Sequence, residues 1–403
     1  MANNIKINFI GTVVDSVDLP KFESASVAGN KMQLGIIKGL YSMNKEIEVT
    51  SSYPHKMFKV KGKIFIPGKK SFIGRSINIR YVPYINVVFL KQITIFIGYL
   101  ITLLIWCSKN RGDKALVVYN TLSYVALPVI IAGKIFKCKT FCVVADLPIK
   151  GIKKSIVQRI EDRMEIGLIN KFNGLIPVTK HIQADFAPNT PFIVVEAGFE
   201  DVEEEVAMQQ STNQLRRNKN VVYTGTLNSL SGIELLLEAF SKIRVENAQL
   251  HIYGSGDKEE IVNSYVANDE RIFFHGKISN EKIVEIQKNA DLLVSPRLID
   301  DFTTKYTFPS KVLEYITSGK PVLSNKLPGI PNEYDNLINF ARTSDTDEWA
   351  KMIENIICDE TDFYILKARK ARMSVKKNKT WEFQSERIYG FISSFYSNNE
   401  GKE

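Results

Sequence analysis

Residues 303 to 323 read TTKYTFPSKVLEYITSGKPVL, a stretch with both a start and a stop signal for one short helix. Pro309 suits a first helical turn, Gly319 suits the position just past the end, and Pro321 forbids continuation. Val312, Leu313 and Ile316 fall on one side at spacings of three and four, whereas Ser310, Lys311 and Glu314 fall on another. One side packs and the other is free to bind. A hydroxyl and an ammonium at a helix N-terminus suit phosphate oxygens, because unpaired N–H groups and the helix dipole favour anions there. A carboxylate one turn on can accept from ribose hydroxyls. A capped helix with a solvated face uses the same residues, so this stretch alone leaves both readings open.

Outward from that helix, short apolar β-branched runs alternate with helical patterns, the signature of βαβ units and parallel sheets. Strands are expected at 221–224, 249–253, 272–275, 292–295 and 321–324, each ending in small or polar residues. Gly225-Thr226-Leu227, Gly254-Ser255-Gly256, Gly276-Lys277 and Ser295-Pro296-Arg297 would then lie along one sheet edge beside the opening helix. In the first half, strands are expected at 6–10, 46–50, 115–119, 140–145 and 174–178, with a helix at 31–41. Asp146 follows the fourth of these strands, at the edge where ligands sit in open α/β sheets, and is a candidate catalytic residue; a loop contact or helix cap would use it equally well. The polar stretch 203–220 reads as a linker.

Several chemistries are excluded. Gly254-Ser255-Gly256 is not a dinucleotide fingerprint, since Glu259 stands where a third glycine is required. Walker, H-E-x-x-H and G-x-S-x-G sequences are absent. The four histidines and four cysteines have no metal-ligand spacing, and no metal is expected. The formal net charge of +9 is uneven: residues 1–190 hold 27 Lys and Arg against 11 Asp and Glu. No nucleic-acid module accompanies this basic half, so an anionic membrane surface is the expected partner, ahead of a polyanionic substrate. The apolar run 93–107, at about 15 residues, is short of the roughly 20 that span a bilayer and reads as a buried or interfacial helix. Lys109, Arg111, Lys150, Lys153, Lys154, Arg159 and Arg163 could meet headgroups, or equally form ordinary solvated helix faces. The N-terminal MANNIKINFIGTVV lacks the features of a signal peptide, which suggests a cytoplasmic protein, peripheral at most to the inner membrane face.

In order and spacing, VVYTGTLN, GIELLLEAF, LHIYGSG, IFFHGK, ADLLVSPR and FPSKVLEYITSGKPVL resemble the donor domain of GT-B glycosyltransferases, specifically the large retaining group numbered family four. In the first half, AGNKMQLGIIKGL at 28–40 resembles the glycine loop and helix of that fold's acceptor domain. The resemblance implies an α/β chain of two Rossmann-like domains facing a central cleft: an acceptor domain at 1–198, a nucleotide-sugar domain at 199–378, and a helix at 379–403 that crosses back. It places Glu314 on the ribose hydroxyls and Ser310 and Lys311 on the diphosphate, with Gly225 bordering that site. It sets Gly276 and Lys277 at the base, and Gly29 and Asn30 in a loop approaching the phosphates or sugar. Thr226, Gly254, Arg297 and Lys305 complete the expected binding set, with Lys311 also catalytic through the charge it sets on the leaving group.

Three positions depart from the family pattern. Tyr306 stands eight residues before Glu314 where a sugar-contacting glutamate is usual, leaving Asp300 or Asp301 as substitutes, and Thr226 and Ser231 occupy positions that are usually basic. The reading implied is transfer from a UDP- or GDP-sugar to a glycan or lipid-linked acceptor, with retention and without a further cofactor. A non-catalytic sugar-nucleotide-binding subunit is the alternative.

Overall fold

The computed structural model describes residues 5–22, 24–44, 46–56, 63–148, 155–200, 218–299 and 302–397. The chain divides into two compact units, Met1–Glu200 with Lys379–Glu403, and Asp201–Asn378. Most of the expected linker, together with Lys150, Lys153, Lys154, Asp300 and Asp301, lies outside the described residues.

The first unit is built on strands β1 (Lys6–Gly11), β2 (Ile47–Ser51), β3 (Phe65–Ile66), β4 (Lys69–Ile73), β5 (Ile77–Tyr81), β6 (Tyr84–Ile85), β7 (Lys114–Tyr119), β8 (Lys139–Val144) and β9 (Gly174–Pro177). Seven of them form one sheet in the order β4-β5-β2-β1-β7-β8-β9, parallel except for β4, while β3 and β6 pair separately. Beyond its first residue β1 is buried throughout, as a strand covered on both faces must be. The helices are α1 (Val27–Met43), α2 (Leu90–Lys109), α3 (Ser123–Phe136), α4 (Ile156–Leu168) and α5 (Lys180–Phe186). The chain's last helix, Trp381–Ser394, packs on α1. Glycine permits this: a Cβ at Gly35 would lie 2.3 Å from the Trp381 ring, and one at Gly39 would lie 2.2 Å from Ser385 Oγ.

The second unit has strands β10 (Lys219–Thr226), β11 (Ala248–Ser255), β12 (Ile272–Phe274), β13 (Leu292–Ser295), β14 (Val322–Asn325) and β15 (Asn339–Ala341). Its helices are α6 (Ile233–Ser241), α7 (Glu259–Asn268), α8 (Asn280–Asn289), α9 (Ser310–Thr317), α10 (Thr346–Ile357) and α11 (Phe363–Asn378). The strand order is β12-β11-β10-β13-β14-β15, and every pair is parallel. The direction of winding reverses between β10 and β13. Ligands of open α/β sheets bind at such a switch point, beyond the strand C-termini.

The ten expected strands are all present, with ends within two residues. Three expectations need correction. Residues 28–30 are not a loop: Ser26 accepts from the Gly29 N–H at 3.1 Å and starts α1 at Val27. Gly225, Thr226 and Gly254 lie within strands, because β10 and β11 pair in register out to Thr226 and Ser255. The apolar run belongs to a 20-residue helix, α2, long and apolar enough to cross a membrane by length and composition. Lys91 is accommodated in its first turn by donating to the His55 carbonyl at 2.7 Å.

Candidate functional site

The opening stretch forms α9 with its two faces divided as expected. Val312, Leu313, Tyr315 and Ile316 are buried; Ser310 is exposed, and Lys311 and Glu314 are half-buried. The N-cap is Pro309, whose side chain donates and accepts nothing, so no side-chain cap occupies the helix's free N–H groups. Gly319 closes the helix at φ +74, the left-handed conformation glycine takes at little cost.

Thr224, near the C-terminal end of β10, joins α9 to the sheet. Its N–H donates to the Tyr315 hydroxyl at 3.0 Å, and that hydroxyl donates back to the Thr224 carbonyl at 3.0 Å. Lys311 Nζ reaches Thr224 Oγ1 at 3.2 Å and lies 3.7 Å from Glu314 Oε1. From α8, Gln287 Nε2 donates to Glu314 Oε1 at 2.8 Å and to Thr224 Oγ1 at 3.3 Å. Burial raises the Tyr315 hydroxyl well above its ordinary value, so it stays a neutral strut. An ammonium, a carboxylate and a helix N-terminus are thereby held together at the switch point between β10 and β13. The sequence reading identified Ser310, Lys311 and Glu314 but not Thr224, Gln287 or Tyr315, whose roles arise from packing between elements far apart in the chain.

The glycine loops follow the same edge. Gly254 N–H donates to the Gly276 carbonyl at 2.8 Å, and a Cβ on Gly254 would sit 1.7 Å from the Gly225 carbonyl oxygen. Gly276 adopts φ +63, and Thr226 and Lys277 are exposed beside it. Arg297 follows β13, where its carbonyl accepts from Asn325 Nδ2 at 3.0 Å. Lys305 Nζ lies over the Tyr306 ring at 5.3 Å, and Tyr306 is buried edge-on against Phe302. The position expected for a sugar-contacting carboxylate is thus a packed aromatic. A separate cavity of about 630 Å³ runs along β11 and is lined by Asn220, Gln249, His251 and Tyr253, with none of the α9 residues. At its rim His251 Nδ1 and His275 Nε2 are 3.1 Å apart.

In the first unit, Asp146 is exposed just past β8, near enough for Asn120 Nδ2 to donate to it at 3.4 Å. Asn120, at φ +59, accepts from the Ala145 and Asp146 N–H groups at 2.8 and 3.1 Å and so shapes this loop. Asn30 requires correction as a ligand contact. It is buried, and its amide is committed to Val14, accepting from the N–H at 2.9 Å and donating to the carbonyl at 3.0 Å. Gly29 lies in the first turn of α1, where an added Cβ would be 3.4 Å from the Tyr119 hydroxyl.

Residues 218–359 match the family model described as glycosyl transferases group 1. An uncharacterized glycosyltransferase of Methanocaldococcus jannaschii is 24% identical over 165 residues, which is 39% of this chain and 40% of that protein. The chain thus matches about two fifths of the length of this curated relative. The structure is similar to that of HepE of Anabaena in complex with UDP, with a TM-score of 0.69 and 15% identity over 97% of this chain and 100% of that one. It is also similar to the lipopolysaccharide outer core galactosyltransferase WaaB, with a TM-score of 0.66 and 14% identity over 97% and 100% of the two chains. The fold is therefore GT-B. The match to the group 1 glycosyl transferase model falls within the second unit.

Proposed function

We propose that the chain is a glycosyltransferase that moves a sugar from a UDP- or GDP-linked donor to a hydroxyl of a glycan or lipid-linked acceptor, with retention, in surface polysaccharide or glycolipid synthesis. The observation that carries this reading is the polar Ser310, Lys311 and Glu314 face of α9, fixed at the sheet's switch point through Thr224 and Gln287. Such a face suits a nucleoside diphosphate: helix N–H groups and Lys311 for the phosphates, Glu314 for ribose. UDP bound to HepE, a protein of the same fold, supports the choice of ligand class. Lys277, Arg297 and Lys305 line the same edge as further cations. As the glycosidic bond breaks, charge accumulates on the leaving diphosphate, where preorganised cations and N–H groups lower the barrier, and a phosphate oxygen can take the acceptor proton. Neither a strong protein base nor a metal is required on this route, and chelation by EDTA is expected to leave turnover unchanged. Asp146 is assigned to the acceptor side as a candidate proton acceptor.

Calorimetry with UDP, GDP and their sugars tests the proposal. Binding of one nucleotide series, lost in Lys311→Ala, supports it; no binding to any overturns it. The buried Tyr306 favours one rival, a sugar-nucleotide-binding subunit without transfer activity. That rival predicts nucleotide binding with no donor turnover, even in the presence of an acceptor-bearing membrane extract.

A further inference from the structure

α2 is apolar on both of its faces, and only one is used by the fold. Tyr99 and Leu103 are fully buried, and the Tyr99 hydroxyl donates to the Gly11 carbonyl at 2.5 Å. The opposite stripe, Ile93, Ile97, Ile101 and Ile105, is 40–55% exposed and spans roughly three turns without a charge. α4 lies beside the start of this helix, since Gln92 Nε2 donates to Glu161 Oε1 at 2.9 Å. It adds a second stripe, Ile156, Ile160 and Met164, of which Ile156 is 76% exposed.

We propose that these two stripes form one docking surface for an anionic lipid bilayer, with α2 and α4 lying in the plane of the headgroups. Charge selects this occupant. Arg159 and Arg163 are exposed along one flank of the α4 stripe, where they can snorkel to phosphates, and Lys109 and Arg111 are exposed at the end of α2. The acidic residues of α4, Glu161, Asp162 and Glu165, are half-buried on its other side. Although α2 is long enough to span, leaving the unit would uncover the core that Tyr99, Leu103 and Trp106 pack on and would take the Tyr99 hydroxyl from the Gly11 carbonyl, so it lies on the membrane rather than across it. The surface also reaches the sheet's C-terminal edge: Lys91, in the first turn of α2, holds the His55 carbonyl, and His55 packs with Tyr53 and Phe22 just past the C-terminal end of β2. This inference deepens the proposed function and rests on it for the purpose of the surface, a lipid-linked acceptor, but not for its existence.

The test is co-sedimentation of the full chain with phosphatidylcholine vesicles that contain or lack phosphatidylglycerol. The wild type is expected to pellet with the anionic vesicles at low salt. Ile97→Asn with Ile101→Asn should weaken that binding about tenfold or more, and Arg159→Gln with Arg163→Gln about fivefold per charge, on anionic vesicles only. All four positions are solvent-exposed, and unchanged melting temperatures will show that the variants fold. A wild type that ignores anionic vesicles, or isoleucine variants that bind as well as it does, overturns the inference. So does a wild-type dimer that the isoleucine changes split while vesicle binding stays the same, since the face would then belong to a second copy. UDP calorimetry on the same samples separates the two claims: nucleotide binding without vesicle binding removes only the docking surface, and vesicle binding without nucleotide removes only the enzymatic reading.

Discussion

Glu314 is held by Gln287 at one carboxylate oxygen and faces Lys311 with the same atom, which leaves Oε2 to accept from a ribose. Glu314→Gln is therefore expected to lower UDP affinity about tenfold, the scale of one charge-assisted hydrogen bond, and to abolish discrimination against a dideoxyribose analogue in calorimetry. Lys311→Ala removes charge that holds the bound diphosphate and also acts on it as it leaves, so kcat should fall about 10²–10³-fold in addition to the loss of nucleotide affinity. The His251 and His275 pair gives the second unit a pH dependence. Burial lowers both below the ordinary 6.5, and for His251 the charge of His275 adds to the effect. The folded state then binds fewer protons than the unfolded state, so stability present above pH 6.5 is lost as pH falls through the depressed folded values. His275→Gln should flatten the decline in melting temperature between neutral pH and about pH 5.

At the scale of elements, the parallel strands were legible because strands buried on both faces appear as unbroken β-branched runs, as in Val221 and Val222 or Leu292 to Val294. The β4–β5 hairpin was not, because it is an edge with alternating exposure, and Lys69, Lys70 and Arg75 mask its apolar Ile73, Ile77 and Ile79. For the site, the sequence showed which face of α9 is free, but the Thr224 and Gln287 contacts come from packing between residues tens of positions apart and leave no local pattern. Asn30 shows the reverse: a glycine-flanked amide that looks like a ligand contact holds a backbone segment instead. That the last helix crosses back was implied by the resemblance, but its seat on α1 and its dependence on Gly35 and Gly39 are matters of distance alone. Gly35→Ala places a methyl inside the Trp381 ring, and overpacking of about 1–3 kcal/mol is expected in chemical denaturation.

Among the described residues, one hydrophobic core gathers around Phe9, Val117 and Phe141 and includes Trp381 and Ile388, and another gathers around Leu236, Phe240 and Trp349. Because each unit has its own core, heat should unfold the chain in more than one step, and a single melting temperature would not describe it. The helix at 381–394 returns to the first unit through a buried Lys379–Glu196 pair and a Gln384 Nε2 bond to the Ala197 carbonyl at 2.9 Å. Removing residues 379–403 should therefore lower the transition of the first unit and leave that of the second in place. A nucleoside diphosphate should act on the other transition. The residues proposed to hold it all belong to the second unit, and binding to the folded form alone stabilises by about 2.7 kcal/mol when ligand reaches a hundred times its Kd. Differential scanning calorimetry with UDP or GDP is thus expected to raise only the second unit's transition in wild type and neither in Lys311→Ala. A shift confined to the first unit's transition would move the nucleotide site off α9 altogether.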